Sequence, residues 1–190
     1  MRPTLQLYLV RHPPPLVSPG LCYGRTDLAV APTETARVAA ALSTALPAGA
    51  ALFSSPLQRC AQLACALGGG AAPVCDARLA ELDFGSWEMQ AWEHIARADI
   101  DAWAADTVHY RPGGGESVLQ MAERVSAFYA DLAAMPLARA IIVCHAGTIR
   151  LLAECGRGAT ARQMAQRAAA RAHRIAYGGL LILQAAEVDV

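Results

Sequence analysis

Leu7-Tyr8-Leu9-Val10-Arg11-His12 is an apolar run that stops abruptly at a guanidinium and an imidazole. Its length and its boundary at Pro13-Pro14-Pro15 read as a buried strand with two chemically active side chains at its tip. In open α/β sheets ligands bind in the crevice outside the carboxyl ends of the strands, so Arg11 and His12 stand where a site belongs. Ala140-Ile141-Ile142-Val143-Cys144-His145-Ala146-Gly147 repeats the arrangement late in the chain. Two histidines, each closing an apolar strand, imply one active site.

Outward from the first strand, Pro13 to Gly20 reads as a stiff loop rather than a linker, because it comes too early to separate domains. Thr33 and Glu34 introduce an alanine-rich helix to about Leu46, and Ala51-Leu52-Phe53 reads as a second strand. Pro56 fits the first turn of a helix that carries Leu57, Arg59, Cys60, Leu63 and Leu67 and ends at Gly68-Gly69-Gly70. A short strand near Val74 follows. Trp87 to Tyr110, which holds all three tryptophans, reads as short helices over the sheet edge. Gly113 to Ser117 opens a long helix through about Leu132, and after the 140–144 strand another helix begins near Thr148. Arg174 to Tyr177 and Leu180 to Leu183 read as a two-stranded ending around a Gly178-Gly179 turn. Strand and helix alternate, so the expected fold is α/β with a mainly parallel central sheet.

The chain has 190 residues, 55% hydrophobic and 17% charged, which suits one domain spanning residues 1–190 with a full core. The formal net charge is zero, so no global field favours nucleic acid or an anionic membrane. Arginines between Arg157 and Arg174 alternate with alanines, the pattern of a solvated helix face. The six cysteines form no CxxC pair and no zinc-like Cys/His spacing, and read as free thiols. Arg11 and His12 interrupt the hydrophobic run a secretory signal would need, and no uncharged apolar stretch is long enough to span a bilayer. A cytoplasmic protein is expected.

A neutral, oriented histidine can attack phosphorus as a covalent nucleophile, and His12 is placed for it. Phosphoryl transfer also needs its equatorial oxygens clamped, which a planar guanidinium does better than an ammonium; Arg11 and Arg59 are the candidates. The leaving alkoxide needs a proton. Glu81 sits among apolar neighbours in Leu79-Ala80-Glu81-Leu82-Asp83-Phe84-Gly85-Ser86-Trp87-Glu88, and spacing alone does not choose between it, Asp83 and Glu88. Arg25 is open between a substrate contact and a surface ion pair, and Tyr23 between a stacking surface and a plain turn residue. Cys144, in an apolar strand, reads as a small buried hydrophobe.

Together these residues resemble the histidine phosphatase superfamily, the phosphoglycerate-mutase-like fold, over nearly the whole chain. The resemblance rests on five short motifs in order: Leu9-Val10-Arg11-His12-Pro13, Ser55-Pro56-Leu57-Gln58-Arg59, Glu81 to Glu88, Gly115-Glu116-Ser117, and His145 to Arg150. It implies a three-layer α/β/α sandwich and a phosphohistidine mechanism without metal or other cofactor. His12 would take the phosphoryl group, Arg11, Arg59 and His145 would bind its oxygens, and Glu81 would protonate the leaving group. The partner implied is a small-molecule phosphate ester, with no nucleic acid and no membrane; monomer and homodimer stay open. Two positions depart from the family pattern, Pro13 and Met89 standing where glycine is usual. Proline keeps the carbonyl that orients the histidine ring in the family, but a phosphate-binding relative without turnover stays an alternative. The Gly20 to Asp27 segment resembles α-ribazole phosphatases of cobalamin biosynthesis, and the short chain resembles a phosphatase more than a glycolytic mutase. A broad-specificity or phosphohistidine-protein phosphatase is the alternative within the enzyme class.

Overall fold

In the computed structural model, which describes residues 5–170 and 174–184, one sheet organises the chain. Its strands are β1 (Gln6–Arg11), β2 (Ala51–Ser54), β3 (Val74–Cys75), β4 (Arg139–Cys144) and β5 (Leu180–Gln184), in the order β3-β2-β4-β1-β5. The first four run parallel and β5 pairs antiparallel with β1, so the sheet is mainly parallel as expected.

Side-chain alternation along β1 builds the layers. Leu7 and Leu9 join Ile142 in a core with α4 (Val118–Ala134), α5 (Ala146–Cys155) and α6 (Ala161–Ala169). Tyr8 and Val10 point the other way, onto Val38 of α1 (Pro32–Leu42) and Leu63 of α2 (Gln58–Leu67). Both faces of the central strands are covered, which is why β1 and β4 read as unbroken apolar runs. A smaller cluster of Cys22, Trp87 and Ile95, with Phe84, Ile100 and Trp103, lies under the irregular segment that includes α3 (Arg97–Ala105). Ser117 starts α4 through a capping box with Gln120, which accounts for the Gly-Glu-Ser segment at that boundary.

Topology places the site. β1 and β4 are neighbours, yet the chain leaves β1 toward α1 on one face and leaves β4 toward α5 on the other. Their carboxyl ends therefore open on a topological switch point.

Three local expectations change. The alanine-rich helix runs from Pro32 to Leu42, with Ala31 rather than Thr33 at its N-cap, and gives way to a turn before Leu46. Pro56 lies outside α2, which starts at Gln58, whose N–H donates to Asp27 Oδ1 at 2.7 Å. The tail makes no hairpin of its own: Leu180–Gln184 pairs with β1, and the segment before it folds over the β1 tip. Backbone bonds enforce this, with the Gly178 N–H donating to the carbonyls of Arg11 and His12 at 3.1 and 3.2 Å and the Arg11 N–H to Gly179 O at 2.9 Å. In the basic tract, Arg162 and Arg167 are exposed on α6 while Met164 and Ala165 are buried; residues 171–173 lie outside the described residues.

Candidate active site

Register brings the two histidines together. Arg11 pairs with Cys144 across β1 and β4, so His12 and His145, one residue further on, meet with ring centroids 5.1 Å apart. His12 Nδ1 lies 2.6 Å from Pro13 O. A carbonyl only accepts, so Nδ1 carries the proton and the Nε2 lone pair of the neutral ring is available. Pro13 thus costs a backbone N–H and keeps the acceptor that orients the ring.

Burial pushes the His12 pKa down to about 3, with Arg59 and Arg11 adding to the fall and the Pro13 bond opposing it. His145, whose Nε2 lies 2.9 Å from Ser55 Oγ, is held well below the ordinary histidine value, first by burial and then by Arg59 and His12. Both rings are neutral at neutral pH. Below pH 6.5 the unfolded chain binds protons that the folded chain refuses, so the contribution of both rings is complete above pH 6.5 and declines as pH falls below it, for His12 until pH approaches 3. Urea unfolding is expected to show stability declining below pH 6.5, before the carboxylates titrate, with a shallower decline in His12→Asn.

The cations surround this pair. Arg59, 1% exposed, donates Nη1 to Thr26 O at 2.6 Å and Nη2 to Gly24 O. Arg11 donates Nη1 to Ile175 O at 2.5 Å, and its guanidinium lies 3.8 Å over the centre of the Tyr177 ring. Carbonyls, and no carboxylate among the described residues, hold both groups. The Nε–H of each is buried without a hydrogen-bond partner among the described residues. Two such guanidiniums, with no counter-ion among the described residues, make a local anion site in a chain of zero net charge.

Geometry separates the three carboxylates. Glu81 lines the same cavity of about 630 Å³ as Arg11, His12, Arg59 and His145. Its Oε2 accepts from the Gly147 N–H at 3.0 Å, and a Cβ at Gly147 would stand 2.3 Å from Oε1. The glycine of the His145 motif is therefore needed for close approach. Arg124 braces the segment behind Glu81, donating to the carbonyls of Arg78, Ala80 and Glu81 while paired with Glu116.

Glu88 is engaged elsewhere. It accepts from the N–H groups of Gly24, Arg25, Thr26 and Phe84 and from the Thr26 hydroxyl. Burial opposes its ionisation, but these bonds hold the carboxyl below the ordinary glutamate value. Glu88 takes the amides of the 24–26 loop while Arg59 takes its carbonyls. Asp83 accepts from the Gly85 N–H and faces Arg25 at 3.8 Å; none of Asp83, Glu88 and Arg25 lines the cavity.

Met89 follows directly. Its φ of 63° is in the left-handed region, and its N–H donates to Cys22 O at 2.7 Å. The chain keeps there the conformation a glycine would adopt without strain. Met89→Gly is expected to raise stability by about 0.5–1 kcal/mol in urea unfolding, the relief of a left-handed side chain less the extra freedom of glycine in the unfolded chain.

The rest of the lining is mostly aromatic and apolar, including Leu21, Tyr23, Phe84, Trp92, Trp103, Val118, Met121 and Tyr177, with Thr107 and Arg150 as its polar members. Trp92 and Trp103 lie parallel at 6.1 Å, whereas Trp87 is buried in the satellite cluster. The sequence reading missed Tyr177, Phe84 and Arg150 as cavity residues; Arg150, in the late His-x-Gly-x-Ile-Arg motif, carried a signal that was available. Cys22 and Cys144 are buried, and burial raises both thiols, Cys22 to about 12 and Cys144 well above the ordinary value. Among the described residues no group of three His, Cys, Asp or Glu converges as a metal site, and no helix is long and apolar enough to cross a membrane.

Residues 7–178 match the model of the histidine phosphatase superfamily (branch 1). The chain belongs to that superfamily. As a histidine phosphatase it is a phosphatase enzyme with the phosphoglycerate-mutase-like α/β fold. The α-ribazole phosphatase of Shigella flexneri is 26% identical, with a TM-score of 0.78 over 93% of this chain and 89% of that one. A mycobacterial glucosyl-3-phosphoglycerate phosphatase in complex with VO3 is 26% identical (TM-score 0.69, 85% and 86% covered). The phosphoglycerate mutase of Thermus thermophilus is 31% identical (TM-score 0.62, 78% and 82% covered). No curated protein sequence matches this histidine phosphatase.

Proposed function

We propose that this histidine phosphatase hydrolyses a small phosphomonoester through a phosphohistidine on His12, with α-ribazole 5′-phosphate as the leading substrate. The observation that carries the mechanism is the hydrogen bond from His12 Nδ1 to Pro13 O, which leaves Nε2 unprotonated on a ring that lines the same cavity as Arg11 and Arg59. Nε2 attacks phosphorus; the P–N bond forms as the ester P–O bond breaks. Arg11, Arg59 and the neutral His145 receive the equatorial oxygens. The electron pair goes to the ester oxygen, which takes its proton from Glu81. Water then attacks the phosphohistidine while Glu81 takes the proton back, and inorganic phosphate leaves.

Two features support the substrate. The Gly20 to Asp27 segment resembles that of α-ribazole phosphatases, and the cavity lining offers Phe84, Trp92 and Trp103 to a planar aromatic base. Pockets of this volume enclose ligands of nucleotide size. Retention of Glu81 in the cavity favours turnover over mere phosphate binding, which a carboxylate would oppose. We further propose a cytoplasmic enzyme without a metal requirement.

Phosphate release from α-ribazole 5′-phosphate, beside 4-nitrophenyl phosphate and with EDTA present, tests the reading. Selective, EDTA-resistant release supports it. Release from the aryl ester alone keeps the phosphatase and discards the cobalamin substrate; no turnover with phosphate still bound indicates a binding protein.

A further inference from the structure

Each phosphate-facing arginine is backed by a tyrosine, and the two tyrosines are joined. The Arg11 guanidinium lies 3.8 Å from the centre of the Tyr177 ring, and that of Arg59 lies 5.9 Å from the centre of Tyr23. The two hydroxyls are 2.6 Å apart, linking residues 154 positions distant in the chain. Tyr177 also packs against His12, ring centroids 5.5 Å apart at 49°. Both tyrosines stand on anchored backbone. Tyr23 precedes the loop held between Glu88 and Arg59, and Tyr177 precedes the Gly178 N–H that donates to the carbonyls of Arg11 and His12.

We propose that Tyr23 and Tyr177 form a coupled positioning pair that fixes the planes and the spacing of Arg11 and Arg59 around the phosphoryl oxygens. The proposal rests on reading the cavity as a phosphomonoesterase site. Two like charges repel, and the carbonyls that accept from Arg11 and Arg59 belong to separate segments, so each holds its own guanidinium without tying the two at the separation a bridging phosphate requires. A ring face attracts a guanidinium and fixes its plane. The hydroxyl bond ties the two faces into a rigid arc, so the clamp is set before substrate arrives.

The test compares Tyr23→Phe, Tyr177→Phe, the double variant and Tyr177→Leu. The readouts are kcat and KM for 4-nitrophenyl phosphate, the inhibition constant of orthovanadate, and the thermal midpoint. Either phenylalanine removes the same hydroxyl bond. Each is therefore expected to weaken vanadate inhibition and kcat/KM by about two- to fivefold, the double variant by no more than either alone. Tyr177→Leu, which loses the ring face, is expected to cost about tenfold in vanadate affinity, shrinking to within about twofold in an Arg11→Lys background.

Phenylalanine effects that multiply, or a Tyr177→Leu variant that loses thermal stability but keeps wild-type vanadate inhibition, overturn the pair. Wild-type protein that neither turns over the ester nor binds vanadate overturns the phosphomonoesterase reading, and the pair's role with it.

Discussion

His12→Ala is expected to lower phosphate release by about four to six orders of magnitude, as removal of a covalent nucleophile does. Its fold is expected to survive, because the His12 backbone bond to Cys144 O does not involve the side chain. Inorganic phosphate is expected to bind still, since Arg11 and Arg59 are held by carbonyls of other segments rather than by the imidazole. Rapid quenching in alkali, which preserves N-phosphorylated histidine, would show labelled phosphoenzyme in the wild type and none in the variant. The reading fails if His12→Ala keeps more than about one per cent of wild-type turnover. It also fails if the label appears on His145. His145 is the control within the molecule: it is as deeply buried and as neutral as His12, but its Nε2 is engaged by Ser55 Oγ.

The parts of the fold governed by local pattern were legible in the sequence. The apolar runs at Leu7 to Val10 and Ala140 to Cys144 announce central strands because a two-sided core demands them. Parallel register then carries His12 and His145 together without further information. What was not legible depends on contacts between irregular segments. Nothing in the spacing of Glu81, Asp83 and Glu88 says that the third collects four backbone amides of two loops. Nothing at Arg59 announces the carbonyls of Gly24 and Thr26. The tail misled for a physical reason: two β-prone runs around Gly178-Gly179 fit a hairpin, but the free edge of β1 offers Leu180–Gln184 a longer ladder. That pairing turns Tyr177 over Arg11. Proline at position 13 looked like a risk because the sequence shows the lost N–H; the carbonyl that the resemblance expects to orient the ring is the one His12 Nδ1 meets at 2.6 Å.

The second large effect concerns Glu81 and depends on the leaving group. An alkoxide leaving from an alkyl phosphate is a strong base and needs a proton as the ester bond breaks. Nitrophenolate is a stabilised anion and leaves without one. Glu81→Gln is therefore expected to slow phosphoenzyme formation from α-ribazole 5′-phosphate or another alkyl ester by about 10²–10⁴-fold. With 4-nitrophenyl phosphate that step is expected to change by less than about tenfold. The second half-reaction still needs a base for water. The variant should thus release one equivalent of nitrophenol in a burst and accumulate phosphoenzyme on His12. Gly147→Ala provides an independent route to the same phenotype, because its Cβ would collide with Glu81 Oε1 and move the carboxylate that the Gly147 N–H now holds. Glu88→Gln is expected to behave differently: it loosens the 24–26 loop that carries Arg59's acceptors, raising KM for both esters without a burst. Stopped-flow measurement of both esters decides between the carboxylates. Equal losses on alkyl and aryl esters in Glu81→Gln would take the proton away from Glu81, and a burst in Glu88→Gln instead would move it to Glu88.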